Sequence, residues 1–195
     1  MPMMWTPPRL SMRLALGLSL LVIAAAQGIN YATGHPLICR CGFMKLWHGG
    51  ANDAQLSQHV TDWLTYAHVL RGILFYWLLT YLARGHLSLA ARLLIAVILE
   101  AGWEVGENSA WFMHTVRPAG LAYGNFGDTI VNSATDILAM MAGFLVAARL
   151  PAWVTVFLLI AFEAAMMALT GDSFVLRAID RAAAMPSIRH WFPLG

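Results

Sequence analysis

The sequence is poor in charge. Asp, Glu, Lys and Arg make up 11% of its 195 residues, against roughly a quarter in soluble domains. Hydrophobic residues reach 59% and the mean hydropathy is +0.65. A deficit spread along the whole chain excludes an ordinary soluble domain and points to a polytopic membrane protein. The net charge is only +2. Without a basic tract, this excludes a nucleic-acid partner. Cysteine is scarce too. Cys39 and Cys41 are the only two, too few for a disulfide framework. A bridge between them requires a Cα separation that is hard to reach over one intervening residue, so a free or weakly metal-linked pair is expected. GxSxG and HExxH are missing, which excludes standard serine-hydrolase and zincin chemistry. Internal repeats and low-complexity segments are also lacking.

Five stretches are long and apolar enough to cross a bilayer, which takes about 20 residues. They run over about Met12–Tyr31, Leu64–Ala83, Leu89–Trp111, Asp128–Ala148 and Ala152–Thr170. The expected fold is all-α, a polytopic membrane bundle of about five transmembrane helices in one integral-membrane domain, residues 1–195. A short tail (1–11), a long outer loop (32–63) and an interfacial amphipathic tail (171–195) complete it. The first stretch follows Arg9 and Arg13 like a signal peptide, but Gln27, Gly28 and Asn30 follow it instead of a small-residue cleavage site, so an uncleaved helix is expected. Arg84, Arg92 and Arg149 place the short connections inside by the positive-inside rule. The N-terminus is then cytoplasmic and the C-terminus periplasmic, although the tail carries Arg177, Arg181 and Arg189.

The charges that remain are patterned. In LEAGWEVGENSAW, Glu100, Glu104 and Glu107 fall on one helical face. In the fourth stretch Asp128, Asn132, Thr135 and Asp136 share a face, continued by Ala139 and Gly143, whose small size permits close packing. The second stretch adds His68 and Arg71, one turn apart, and Gly72; the fifth adds Glu163. With a rise of about 1.5 Å per residue, Glu107 and Asn108 should meet Asp128. Glu104 and His68 should lie level with Asn132, and Glu100 with Asp136, Arg71 and Glu163. Together they would line an acidic cleft that opens outward. So many carboxylates cannot all stay charged in a dry interior. Protonation, a wet cleft or a bound divalent cation must relieve them. Glu104, Asp128 and Asp136 are the candidate metal ligands.

The outer loop contains His35, Cys39, Cys41 and His48, but their spacing matches no standard zinc module. An ordered cap is the simpler reading, with Phe43, Leu46 and Trp47 dipping into the interface. His59 and Asp62 form a possible His–carboxylate pair, with a surface ion pair as the equal alternative. His86 and His190 receive no role.

The ordered segments PLIC-CG-KLWHG, SQH–DW, LEA-WE–EN and GD–VNS–D-LAM resemble an uncharacterised family of multi-pass inner-membrane proteins of alphaproteobacteria. The resemblance covers about residues 34–150 and implies a bacterial inner-membrane location but no activity. The family pattern in the second helix is H-x-x-H-G, whereas this chain reads HVLRG. Arg71 replaces the second histidine, which weakens a His-pair ligand set and favours an Arg that binds carboxylate or phosphate. The Asp–Asn–Asp helix also weakly resembles VanZ-like membrane proteins.

Two functions fit these residues. The first is an enzyme acting on a lipid-linked or periplasmic substrate. His68, Glu104, Glu107 and Asp136 would be catalytic, and Arg71, Asn108 and Asn132 would hold substrate. The alternative is an ion- or proton-coupled transporter, or an accessory subunit of a membrane complex.

Overall fold

The structure is a computed structural model and describes residues 10–50, 53–170 and 175. The amphipathic tail expected over 171–195 (Val175 apart), together with Arg9 and His190, lies outside them. All five apolar stretches form helices. They are α1 (Met12–Ala32), α2 (Trp63–Ala83), α3 (Leu89–Glu107), α6 (Ile130–Ala147) and α7 (Ala152–Thr170). Between α3 and α6 lie two short helices, α4 (Ala110–Thr115) and α5 (Pro118–Ala122). Two of the helices, α1 and α6, are long and apolar enough to cross a membrane by length and composition. Helix α3 carries Arg92 and three glutamates, and α2 carries His68, Arg71 and several Trp and Tyr residues, which lower their hydropathy.

Local sequence sets the helix ends. Ser11, Ser88 and Thr129 accept main-chain N–H groups at the starts of α1, α3 and α6. At α2, Asp62 accepts the N–H groups of Leu64 and Thr65, while the Thr65 hydroxyl accepts the Asp62 N–H, a reciprocal capping box. The third apolar stretch was expected to continue to Trp111. It stops at Asn108, because Ser109 caps α4 through Phe112 N–H at 3.2 Å.

The chain divides into two compact units, one up to Leu150 and one from Pro151. In the first, α2 packs chiefly on α6 and α1 on α3, with α3 also against α6. Leu93, Val97, Ile137, Met140 and Phe144 are fully buried between them. The crossing of α2 and α6 is a backbone contact. A Cβ on Gly72 would lie 2.0 Å from the Met140 carbonyl oxygen, and one on Gly143 would lie 2.1 Å from that of Val69. Helix α1 contributes polar side chains as well: Gln27 Nε2 donates to Ser133 Oγ at 3.0 Å. The second unit contains α7, where Glu163 accepts the Val175 N–H at 3.2 Å.

The loop between α1 and α2 is tied down. Trp47–His48 (β1) and Thr61–Asp62 (β2) pair as two short parallel strands, so the loop ends beside the start of α2. Phe43, Leu46 and Trp47 are exposed on it. Cys39 and Cys41 are joined by a disulfide, against the expectation of a free or metal-linked pair. The chain turns tightly there, Gly42 adopting φ +84° and donating to the Cys39 carbonyl. This turn brings the two Cα atoms to 5.1 Å, inside the range a disulfide prefers. A bonded pair offers no thiolate, so the loop metal reading is lost.

Candidate functional site

The acidic face of α3 turns inward. Glu100 and Glu104 have no solvent exposure, and Glu107, Asp128, Asn132 and Asp136 are also buried. Their partners divide into two layers.

The inner layer centres on His68 of α2. Its Nδ1 lies 2.6 Å from Glu100 Oε1 and 3.3 Å from Glu104 Oε1, and its Nε2 lies 3.6 Å from Asp136 Oδ2. Arg71 donates to the same Glu100 oxygen at 2.7 Å and stacks over the Trp103 ring. Several polar atoms here have no hydrogen-bond partner among the described residues: Glu100 Oε2, both oxygens of Glu104, Asp136 Oδ1 and both side-chain atoms of Asn132. Carboxyl oxygens thus face both nitrogens of one imidazole, although a neutral ring has a single N–H. A proton or a cation completes such an arrangement.

The outer layer joins the end of α3 to the start of α6. Asn108 Nδ2 donates to Asp128 Oδ2 at 3.0 Å, and Asp128 N–H donates back to Asn108 Oδ1 at 2.7 Å. Arg117 pairs with Glu107 and lies 3.7 Å from Asp128. Trp103 also donates to Glu107. The His35 ring bridges the main-chain oxygens of Asp128 and Asn108 at 3.0 Å each. Gly127, at φ +103°, passes so close that a Cβ would lie 2.7 Å from Asn108 Oδ1. A pocket of about 520 Å³ adjoins this layer, lined in part by His35, Arg40, Gln58, Gly127 and the disulfide.

The structure therefore brings Glu107 and Asn108 to Asp128, and Arg71 to Glu100, while His68 sits between Glu100, Glu104 and Asp136. Asn132 shares the buried face of Asp136 without a bond to Glu104. Glu163 belongs to the second unit. Sequence reasoning missed Arg117 as a partner of the acids. Its one signal was a lone arginine in a Gly- and Pro-containing connection beside the acidic stripe.

A separate polar cluster holds the loop between α1 and α2. The fully buried His59 accepts Lys45 N–H at Nδ1 (3.3 Å) and places Nε2 3.1 Å from Gln55 Oε1. Both contacts suit the neutral ring. Burial, aided by Lys45 and His48, lowers its pKa below the ordinary value. A lowered histidine pKa means the unfolded state binds more protons, so stability rises with pH. The loop should hold fully above about pH 6.5 and loosen as the pH falls below it. Hydrogen exchange at the Lys45 amide checks this. Exchange that is equally slow at pH 5 and pH 8, after correction for the intrinsic rate, would refute it.

The comparisons with known proteins extend over most of the chain. Residues 30–193 match the family model described as "Protein of unknown function (DUF2585)". A UPF0314 protein of Paracoccus denitrificans is 38% identical over 172 residues, 88% of each chain. One of Agrobacterium fabrum is 41% identical over 177 residues, 91% of this chain and 87% of its own. One of Sphingopyxis alaskensis is 35% identical over 170 residues, 87% of this chain and 90% of its own. No solved structure matches. The likeness to VanZ-like proteins finds no support. The resemblance read from the motifs is upheld, and the chain belongs to the DUF2585/UPF0314 family of uncharacterised proteins, with relatives in alphaproteobacteria.

Proposed function

We propose that this chain is a five-span inner-membrane protein, N-terminus in the cytoplasm and C-terminus in the periplasm, that takes up a proton or cation from the periplasmic side onto the nest around His68. The distribution of polarity supports the membrane reading. Glu100, Glu104, His68, Asn132 and Asp136 are inside, while Leu20, Leu21, Leu78, Leu82, Ile98, Leu99 and Leu138 face outward. Water would favour the reverse arrangement, whereas a bilayer favours this one. The observation that carries the cation reading is the single imidazole faced by carboxyl oxygens on both nitrogens. The layer around Asp128, Asn108 and His35 links the nest to the outer pocket. The test is proton movement into proteoliposomes, followed with an internal pH dye. Wild-type protein should move protons under an imposed potential, and Glu104→Gln should not. Equal flux from both would sink the reading.

The pocket beside His35 favours a second reading, an enzyme for a lipid-linked or periplasmic substrate. Arg71 would hold an anionic headgroup, Asn108 and Asn132 would position it, and His68, Glu104, Glu107 or Asp136 would move protons. Mass spectrometry of inner-membrane lipid extract incubated with the protein tests it. A product formed by wild type and lost in Glu104→Gln supports turnover.

A further inference from the structure

We infer that His68, Glu100 and Glu104 hold a divalent metal ion of the zinc, manganese or iron(II) class; this rests on the cation reading and narrows it. One ligand atom from each residue lies within 4.8 Å of the others. One imidazole nitrogen with carboxylate oxygens is a donor set for borderline divalent metals.

The surroundings divide the work as a metal centre requires. His68 turns Nδ1 toward both glutamates and Nε2 toward Asp136. With the Nε2 proton directed at Asp136, Nδ1 presents its lone pair to the ion, the usual carboxylate–histidine–metal order. Arg71 holds Glu100 through Oε1 and leaves Oε2 without a partner. Glu104 is fully buried, and neither of its oxygens takes a hydrogen bond from the described residues, Oε1 lying 3.3 Å from His68 Nδ1. Asn132, equally buried and unpartnered, lies one turn before Asp136 on α6 and adds a neutral polar group to that face. Charge points the same way. Glu100, Glu104 and Asp136, ionised, outnumber Arg71 by two negative charges, which one divalent ion cancels. Asp128, expected among the ligands, instead binds Asn108 beside Arg117.

The experiment incubates detergent-purified full-length protein with Zn²⁺ or Mn²⁺, desalts it and measures retained metal by mass spectrometry. Wild type should keep about one equivalent. Glu104→Gln should keep at least about tenfold less. The loop variant Asp53→Asn should keep as much as wild type. A wild type that retains none, or a folded Glu104→Gln that retains as much as wild type, overturns the inference. Should Glu104→Gln fail to fold, wild type labelled with ¹⁵N-histidine and loaded with Mn²⁺ decides. A nitrogen hyperfine coupling supports the site, and its absence overturns it. Proton flux without metal retention leaves the cation reading standing and removes the metal. Metal retention without flux keeps the metal site and removes proton movement from the cation reading.

Discussion

Gly143→Val should yield no monodisperse protein from detergent. The Cβ position at residue 143 falls 2.1 Å from the Val69 carbonyl oxygen and 2.8 Å from its carbon. These are backbone atoms, which no rotamer change can move. Overpacking typically costs 1–3 kcal/mol when side chains can yield. With backbone on the far side we expect the upper end, about 3 kcal/mol, even for Gly143→Ala. Gly72→Ala should behave alike, since its Cβ would meet Met140. The control has the opposite sign. No described residue lies within 4 Å of the Cβ position of Gly102 on α3, so Gly102→Ala should stabilise by about 0.5–1 kcal/mol. Size-exclusion profiles and thermal melts measure all four variants. A Gly143→Ala protein that melts with wild type would remove the close α2–α6 crossing from the fold.

Glu100→Ala should be nearly as damaging, for an electrostatic reason. Glu100 Oε1 accepts from Arg71 at 2.7 Å and lies 2.6 Å from His68 Nδ1, and the Arg71 side chain is only 16% exposed. Removing one partner of a buried pair leaves the other charge uncompensated, at about 3–5 kcal/mol. The double variant Glu100→Ala/Arg71→Leu should recover much of that loss, because both charges are gone. A double-mutant cycle by denaturant titration reads the coupling. Additive losses would mean that the pair is not a unit.

Much of the arrangement was legible before any coordinates. The helices follow from apolar runs with capping residues, and the inward acidic face follows from the 3.6-residue period that aligns Glu100, Glu104 and Glu107. The meeting of Asn108 with Asp128, and of Arg71 with Glu100, came from a constant rise per residue. What stayed hidden depends on the path of the connections. Arg117 and His35 reach the site from loops, and no period predicts where a loop returns. The strand pair is two residues long, too short to leave a pattern. The disulfide was misjudged because a tight turn at Gly42 shortens a separation that looks prohibitive in extended chain.

On the five-span reading, the α2–α3 pair has a consequence for how the chain enters a bilayer. Helix α3 alone would bring Glu100, Glu104 and Glu107 into hydrocarbon, at about 2.5–3.5 kcal/mol for a charged residue at the centre. The partner of Glu100 is already made when it emerges, since Arg71 precedes it on α2 and only five residues, 84–88, separate the helices, whereas Arg117, the partner of Glu107, follows α3. Asp136 arrives later, on α6. On the five-span reading, α2 and α3 thus leave the translocon as a partly neutralised hairpin. The ion pair that closes the interior of the finished protein also acts as the passport of its most polar helix.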